Sequence, residues 1–175
     1  MTGRNMGPPV RAYAGADIHL RSPSMYARIL VPIDGSSTAQ RGLEEALALA
    51  EKLGSSLYVV NVVDARLLIA EAEMAVPPKD VLDSWQLQGE RLVAKASEAA
   101  RAKGVAVEVA VRCEPGLRVC DVIVKEAADR RVDLIVMGTH GRQGLRRLTL
   151  GSDAELVLRE SPVPVLLVRD PLKHA

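Results

Sequence analysis

From Ala27 onward, short runs of branched apolar residues alternate with longer stretches whose apolar residues recur at helical spacing. Few folds accommodate that alternation. Strands joined through helices must run parallel, with right-handed crossovers, because a tight turn cannot connect them. Ile29–Ile33 reads as the first strand. A helix follows, with Leu43, Ala46, Leu47, Ala50 and Leu53 on one face, a capping box expected at Ser37 and Gln40, and Gly54 at its C-terminal end. Leu57–Val63 is the second strand. Leu82, Trp85, Leu92, Ala96 and Ala99 mark a second helix that Gly104 stops. Val105–Arg112, Val132–Met137 and Val163–Arg169 are the remaining strands. Helices around Val119–Ala127 and over Ser152–Glu160 lie between them. The expected fold is α/β, a doubly wound five-stranded parallel sheet with helices on both faces, Rossmann-like in its layers.

Residues 1–25 lack this pattern. Gly3, Gly7, Pro8, Pro9, Gly15 and Pro23 punctuate a stretch read as a flexible N-terminal extension, ahead of a domain at 26–170 and a short tail at 171–175. The longest apolar runs, near Leu134–Met137 and Val163–Val168, are strand-sized and predict no membrane span. No secretory h-region follows Arg4 and Arg11. Cys113 and Cys120 cannot form a disulfide scaffold, and they read as reduced, mostly buried thiols of a cytoplasmic protein. With 23 Lys+Arg against 22 Asp+Glu, the chain has no bulk attraction for nucleic acid. Its only aromatics are Trp85 and three tyrosines, too few for a base-stacking platform.

In doubly wound sheets, ligands bind beyond the carboxyl ends of the strands, where the strand order reverses. Two polar features stand at strand ends: Asp34-Gly35-Ser36-Ser37 after the first strand and Gly138-Thr139-His140-Gly141-Arg142-Gln143-Gly144 after the fourth. If those strands are neighbours, the two features share one crevice. Glycines let a backbone approach an anion closely, and a helix starting at Ser152 adds free N–H donors. Arg142, Arg146 and Arg147 fall between Gly138 and Ser152 with no acid among them, which suits phosphates. The segment fits neither the Walker nor the dinucleotide pattern. Ser152 also has a purely structural explanation, a capping box with Glu155, and Asp34 one as a turn residue. His140, within the loop, is as well suited to facing solvent as to touching phosphate. No histidine stands at a strand end to match Ser36 and Ser37, so a hydrolase triad is not expected.

Gly138, Gly141, Gly151 and Ser152 reproduce a spacing of glycine, two residues, glycine, nine residues, then glycine and Ser or Thr. With Arg28–Ser36 at the start and Ser161–Val168 at the end, the chain resembles the ATP-binding universal stress proteins over residues 27–170. The resemblance implies that Pro32 and Asp34 line the adenosine end of a nucleotide and that Val62 supplies backbone contacts to adenine. It implies that Gly138, Thr139, Gly141, Arg142 and Gln143 surround ribose and phosphates. Gly151, Ser152 and Asp153 would meet the terminal phosphates of ATP, or those of AMP or ADP, with Mg²⁺ bridging phosphate oxygens. Val163, Val165, Leu166, Leu167 and Val168 make an apolar edge that invites pairing with another chain, and the resemblance implies a homodimer through residues 163–169.

Asp153 and Ala154 depart from the family pattern. Ala154 offers no hydroxyl to a phosphate, and Asp153 sets a carboxylate beside an anion. The leading expectation is therefore a nucleotide-binding stress or signalling module with at most slow ATP hydrolysis, since no general base stands out. The alternative is a dimeric interaction protein whose nucleotide site is vestigial. An enzyme of the wider adenine-nucleotide α-hydrolase-like group is a third, disfavoured by the absence of a second domain and of a catalytic constellation.

Overall fold

A computed structural model describes residues 25–64, 66, 79–114, 116–140 and 150–169. The expected extension at 1–25, apart from Met25, the tail at 171–175 and most of the 64–79 connection lie outside them. The elements follow in the expected order: β1 (Arg28–Pro32), α1 (Ser37–Leu53), β2 (Ser56–Val62), α2 (Lys79–Ala102), β3 (Val107–Arg112), α3 (Val119–Asp129), β4 (Leu134–Gly138), α4 (Ser152–Glu160) and β5 (Val165–Val168). All strand pairs are parallel, and the sheet order is β3-β2-β1-β4-β5. The order reverses between β1 and β4. The two strands with polar features at their ends are therefore neighbours at the switch point.

Strands covered on both faces need apolar residues at consecutive positions. Ile29, Leu30 and Val31 in β1, and Ile135 and Val136 in β4, are fully buried. Alternate residues sort to opposite cores. Ile29, Val31, Leu57, Val59 and Val136 pack with Leu43, Ala46 and Leu47 of α1 and with Val93, Ala96 and Ala100 of α2. Leu30, Tyr58, Val60, Ile135 and Met137 pack with Cys120 and Ile123 of α3 and with Ala154 and Val157 of α4. Cys120 is buried as expected, but Cys113, beyond the end of β3, is exposed.

Helix ends explain where strands begin. Gly54 and Gly104 take left-handed conformations at φ 69° and 68°, which glycine adopts at no steric cost. After α3 the same turn falls to Arg131, at φ 50°. The Val105 N–H bonds the Ala100 carbonyl and the Val132 N–H bonds the Ala127 carbonyl. Those residues close helices rather than open strands, so β3 and β4 start two residues later than the apolar runs predict. β5 starts at Val165 instead of Val163 because Pro164 has no N–H for the ladder, although its carbonyl accepts from Ile135. The α1 cap also lies one residue earlier than expected. Ser36 is the N-cap, its hydroxyl accepting the Ala39 N–H at 3.2 Å, while Gln40 bonds Glu44.

One buried polar network interrupts the α3 side of the core. The Tyr58 hydroxyl donates to Glu126 Oε2, and Arg112 Nε donates to Glu126 Oε1 at 2.6 Å. The Arg130 guanidinium lies 4.8 Å from the Tyr58 ring centroid. Burial and the bond to Glu126 push the Tyr58 phenol up to about 12. Burial alone would raise the Glu126 carboxyl, but the bonds from Arg112 and Tyr58 outweigh it and hold it below the ordinary value.

Candidate functional site

At the carboxyl end of β1 the chain leaves the sheet through Pro32 and Asp34, both half-buried. Asp34 Oδ1 accepts the Ser36 N–H at 2.9 Å, a local turn of the kind a strand-end aspartate makes. Gly35, at φ 86°, lets the chain reverse into α1 there. At the end of β2, Val62 is half-buried and registers against Arg112 of β3.

β4 ends against the first turn of α1. A Cβ on Gly138 would lie 2.7–2.9 Å from the Thr38 carbonyl group and the Ala39 nitrogen, all rigid backbone. The Thr38 hydroxyl donates to the His140 carbonyl, tying the start of α1 to the segment that leaves β4. Thr139 is buried. Its N–H bonds the Val168 carbonyl, and its own carbonyl accepts the Gly151 N–H, both at 2.9 Å. A Cβ on Gly151 would come 3.1 Å from that same carbonyl. The two ends of the 138–152 segment are thus held side by side, at a spacing that admits glycine. His140 Nδ1 lies 3.0 Å from the Thr139 hydroxyl.

Gly151 is the N-cap of α4, which removes the expected capping box at Ser152. Ser152 occupies the first helical position, exposed beside the free N–H groups of the helix start. Gly138, Thr139, Gly151 and Ser152 are therefore brought together. Asp34 stands across the switch point at the head of α1. Gly141, Arg142 and Gln143 lie outside the described residues.

Asp153 belongs to a second group of charges. Burial raises its carboxyl, and neighbouring Asp64 adds to this, while Arg66, the Cys120 backbone and Arg118 act the other way. Asp64 is itself held by Arg66 through contacts of 3.1 and 3.0 Å. Asp153 thus lies toward the start of α3 and the end of β2. Ala154 is buried in the α3/α4 core. Among the described residues, no group of three or more His, Cys, Asp or Glu side chains could hold a metal ion, and no helix is long and apolar enough to cross a membrane.

The family model described as the Universal stress protein family matches residues 25–169. The chain belongs to that family. It is 32% identical over 155 residues to Universal stress protein MJ0531 of Methanocaldococcus jannaschii, covering 86% of each chain. Among solved structures, it superposes on the hypothetical protein MJ0577 with a TM-score of 0.75 and 27% identity, over 85% of this chain and 99% of that one. It shares the fold, at 23% identity and a TM-score of 0.60, with a universal stress protein from Archaeoglobus fulgidus in complex with dAMP. That match covers 82% of this chain and 98% of the other.

Two residues around the end of β1 in this universal stress protein escaped the sequence patterns. Thr38 bonds across 102 positions, beyond any local spacing. Asn61, a buried amide that follows the apolar run Val59-Val60 in β2, donates to the Ile33 carbonyl at 2.8 Å. An amide breaking an apolar strand was a signal that could have found it.

Proposed function

We propose that this universal stress protein is an adenine-nucleotide-binding module, with ATP in the crevice between β1 and β4. The single observation that carries the reading is the meeting of Gly138, Thr139 and Gly151 at the switch point. It sets a glycine-lined backbone and the start of α4 at the end of β4, across the switch point from Asp34 at the end of β1. In this reading Pro32, Asp34 and Val62 line the base and ribose. Gly138, Thr139, Gly141, Arg142 and Gln143 surround ribose and phosphates, and Gly151 and Ser152 meet the terminal phosphates. The dAMP complex from Archaeoglobus fulgidus is a property of that protein. At its level of identity it speaks to the fold, and the assignment here rests on this chain's own residues.

Mg²⁺ would be held chiefly by phosphate oxygens. In this reading ATP hydrolysis is at most slow. Occupancy would act by altering the surface offered to partners, and a homodimer through β5 would double that surface.

The test is calorimetric titration of nucleotide-stripped protein with ATP and AMP, each with and without Mg²⁺. Micromolar binding of ATP, tighter than AMP, supports the triphosphate site. No binding of either up to millimolar removes it. A second reading, a dimeric interaction protein with a vestigial site, is favoured by Ala154, which offers no hydroxyl at the third position of α4, and by Asp153 beside the helix start. It predicts the null result.

A further inference from the structure

The nucleotide reading gives roles to Asp34 and Val62 but leaves open what holds them to one another. Each stands one residue beyond a partner in a single contact. Asn61, immediately before Val62, donates through Nδ2 to the carbonyl of Ile33, immediately before Asp34, at 2.8 Å. That carbonyl shares a rigid peptide plane with the Asp34 N–H, so fixing it fixes the direction in which the chain enters Asp34. The Ile33 N–H is bonded to the Val60 carbonyl at 2.8 Å. Both polar groups of Ile33 are therefore tied to β2, past the last residue of β1.

Asn61 is 4% exposed and is braced from behind by α2. Gly89 is buried in the interior of that helix, where glycine costs about 1 kcal/mol against alanine. The contact explains it. A Cβ at Gly89 would collide with Asn61 Oδ1 and lie 3.2 Å from Asn61 Cγ and 3.0 Å from a Val111 methyl. Gly89 leaves the amide the room it needs to reach Ile33.

We infer that Asn61 is the positioning residue for the base end of the nucleotide site, and that Gly89 of α2 keeps it in place. It touches no ligand itself. It sets the spacing and tilt of the wall that Asp34 and Val62 form, and so bears on which base is accepted more than on phosphate binding. This inference rests on the nucleotide reading above.

The experiment uses the full chain, stripped of nucleotide, titrated with ATP and with GTP. Asn61→Ala is expected to weaken ATP about tenfold, the worth of one buried hydrogen bond, and to shrink the preference for ATP over GTP by a similar factor. Gly89→Ala, which favours the helix, is expected to do the same by displacing the amide, and to add little in the Asn61→Ala background. It carries the test alone if Asn61→Ala does not fold. Unchanged ATP affinity, or equal weakening of ATP and GTP, overturns the positioning role while leaving the nucleotide site standing. A wild-type protein that binds neither nucleotide overturns the nucleotide reading itself and this inference with it.

Discussion

Single atoms decide much at the switch point. Adding one carbon at Gly138 pushes against the Thr38 and Ala39 backbone, which cannot rotate away, so Gly138→Ala is expected to destabilise the fold by about 1–3 kcal/mol and to weaken ATP binding. Urea midpoints and titration check the two effects separately. Asp153→Asn keeps an acceptor for the Cys120 backbone but removes a charge that burial and Asp64 disfavour. A carboxyl raised in the folded state contributes stability below its unfolded value near 3.8 that is lost as pH rises through the folded one. The variant should therefore be more stable than wild type at pH 7, with the difference vanishing below that value. In the same variant Mg²⁺-free ATP should bind more tightly, and weaker binding would count against a phosphate beside residue 153. The Tyr58–Glu126 pair gives the opposite limbs. Glu126 contributes stability at neutral pH that is lost as pH falls below the ordinary carboxylate range, and Tyr58 stability that is lost as pH rises from 10 toward 12. Tyr58→Phe should flatten the alkaline limb and lower stability by about 1–2 kcal/mol, read from urea midpoints between pH 7 and 11.

At the scale of elements, apolar periodicity was enough to order nine segments and to place α4 at Ser152–Glu160. What it could not see was which polar groups close each segment. Val105 and Val132 look like strand residues, yet their N–H groups are taken by the helices before them. Ser37 and Ser152 look like caps, yet Ser36 and Gly151 perform that role, because only the backbone geometry selects among adjacent candidates. Ser36→Ala should cost α1 about 1 kcal/mol, whereas Ser37→Ala should leave the cap intact; thermal melts of the two variants decide between them. The candidate site was legible where its residues lie within one loop, as with Gly138 and Gly151. It was not legible where contacts join distant segments. Thr38 to His140 and Asn61 to Ile33 follow from strand order, and no spacing along the chain encodes them.

For the whole molecule, the sheet has two edges of different character. β3 carries Glu108 and Arg112, while β5 is Val165-Leu166-Leu167-Val168, apolar throughout. Such an edge invites pairing with a second copy. Val165 and Leu167 pack inward on the α3/α4 core, and Leu166, 36% exposed, is the residue to change. If the proposed homodimer forms through this edge, Leu166→Lys should lower the mass seen by light scattering from dimer to monomer with little loss of stability; a wild-type monomer, or a variant that stays dimeric, would overturn the β5 interface. Because every strand points the same way, each carboxyl end falls on one rim and each amino end on the other. The second rim holds Gly54 and Gly104, whose positions face open space. Their left-handed backbone bars a side chain at the glycines themselves, but a fluorophore or tether on exposed Lys52, beside Gly54, would ride about a strand's length from the crevice, reporting on its occupancy without competing for it.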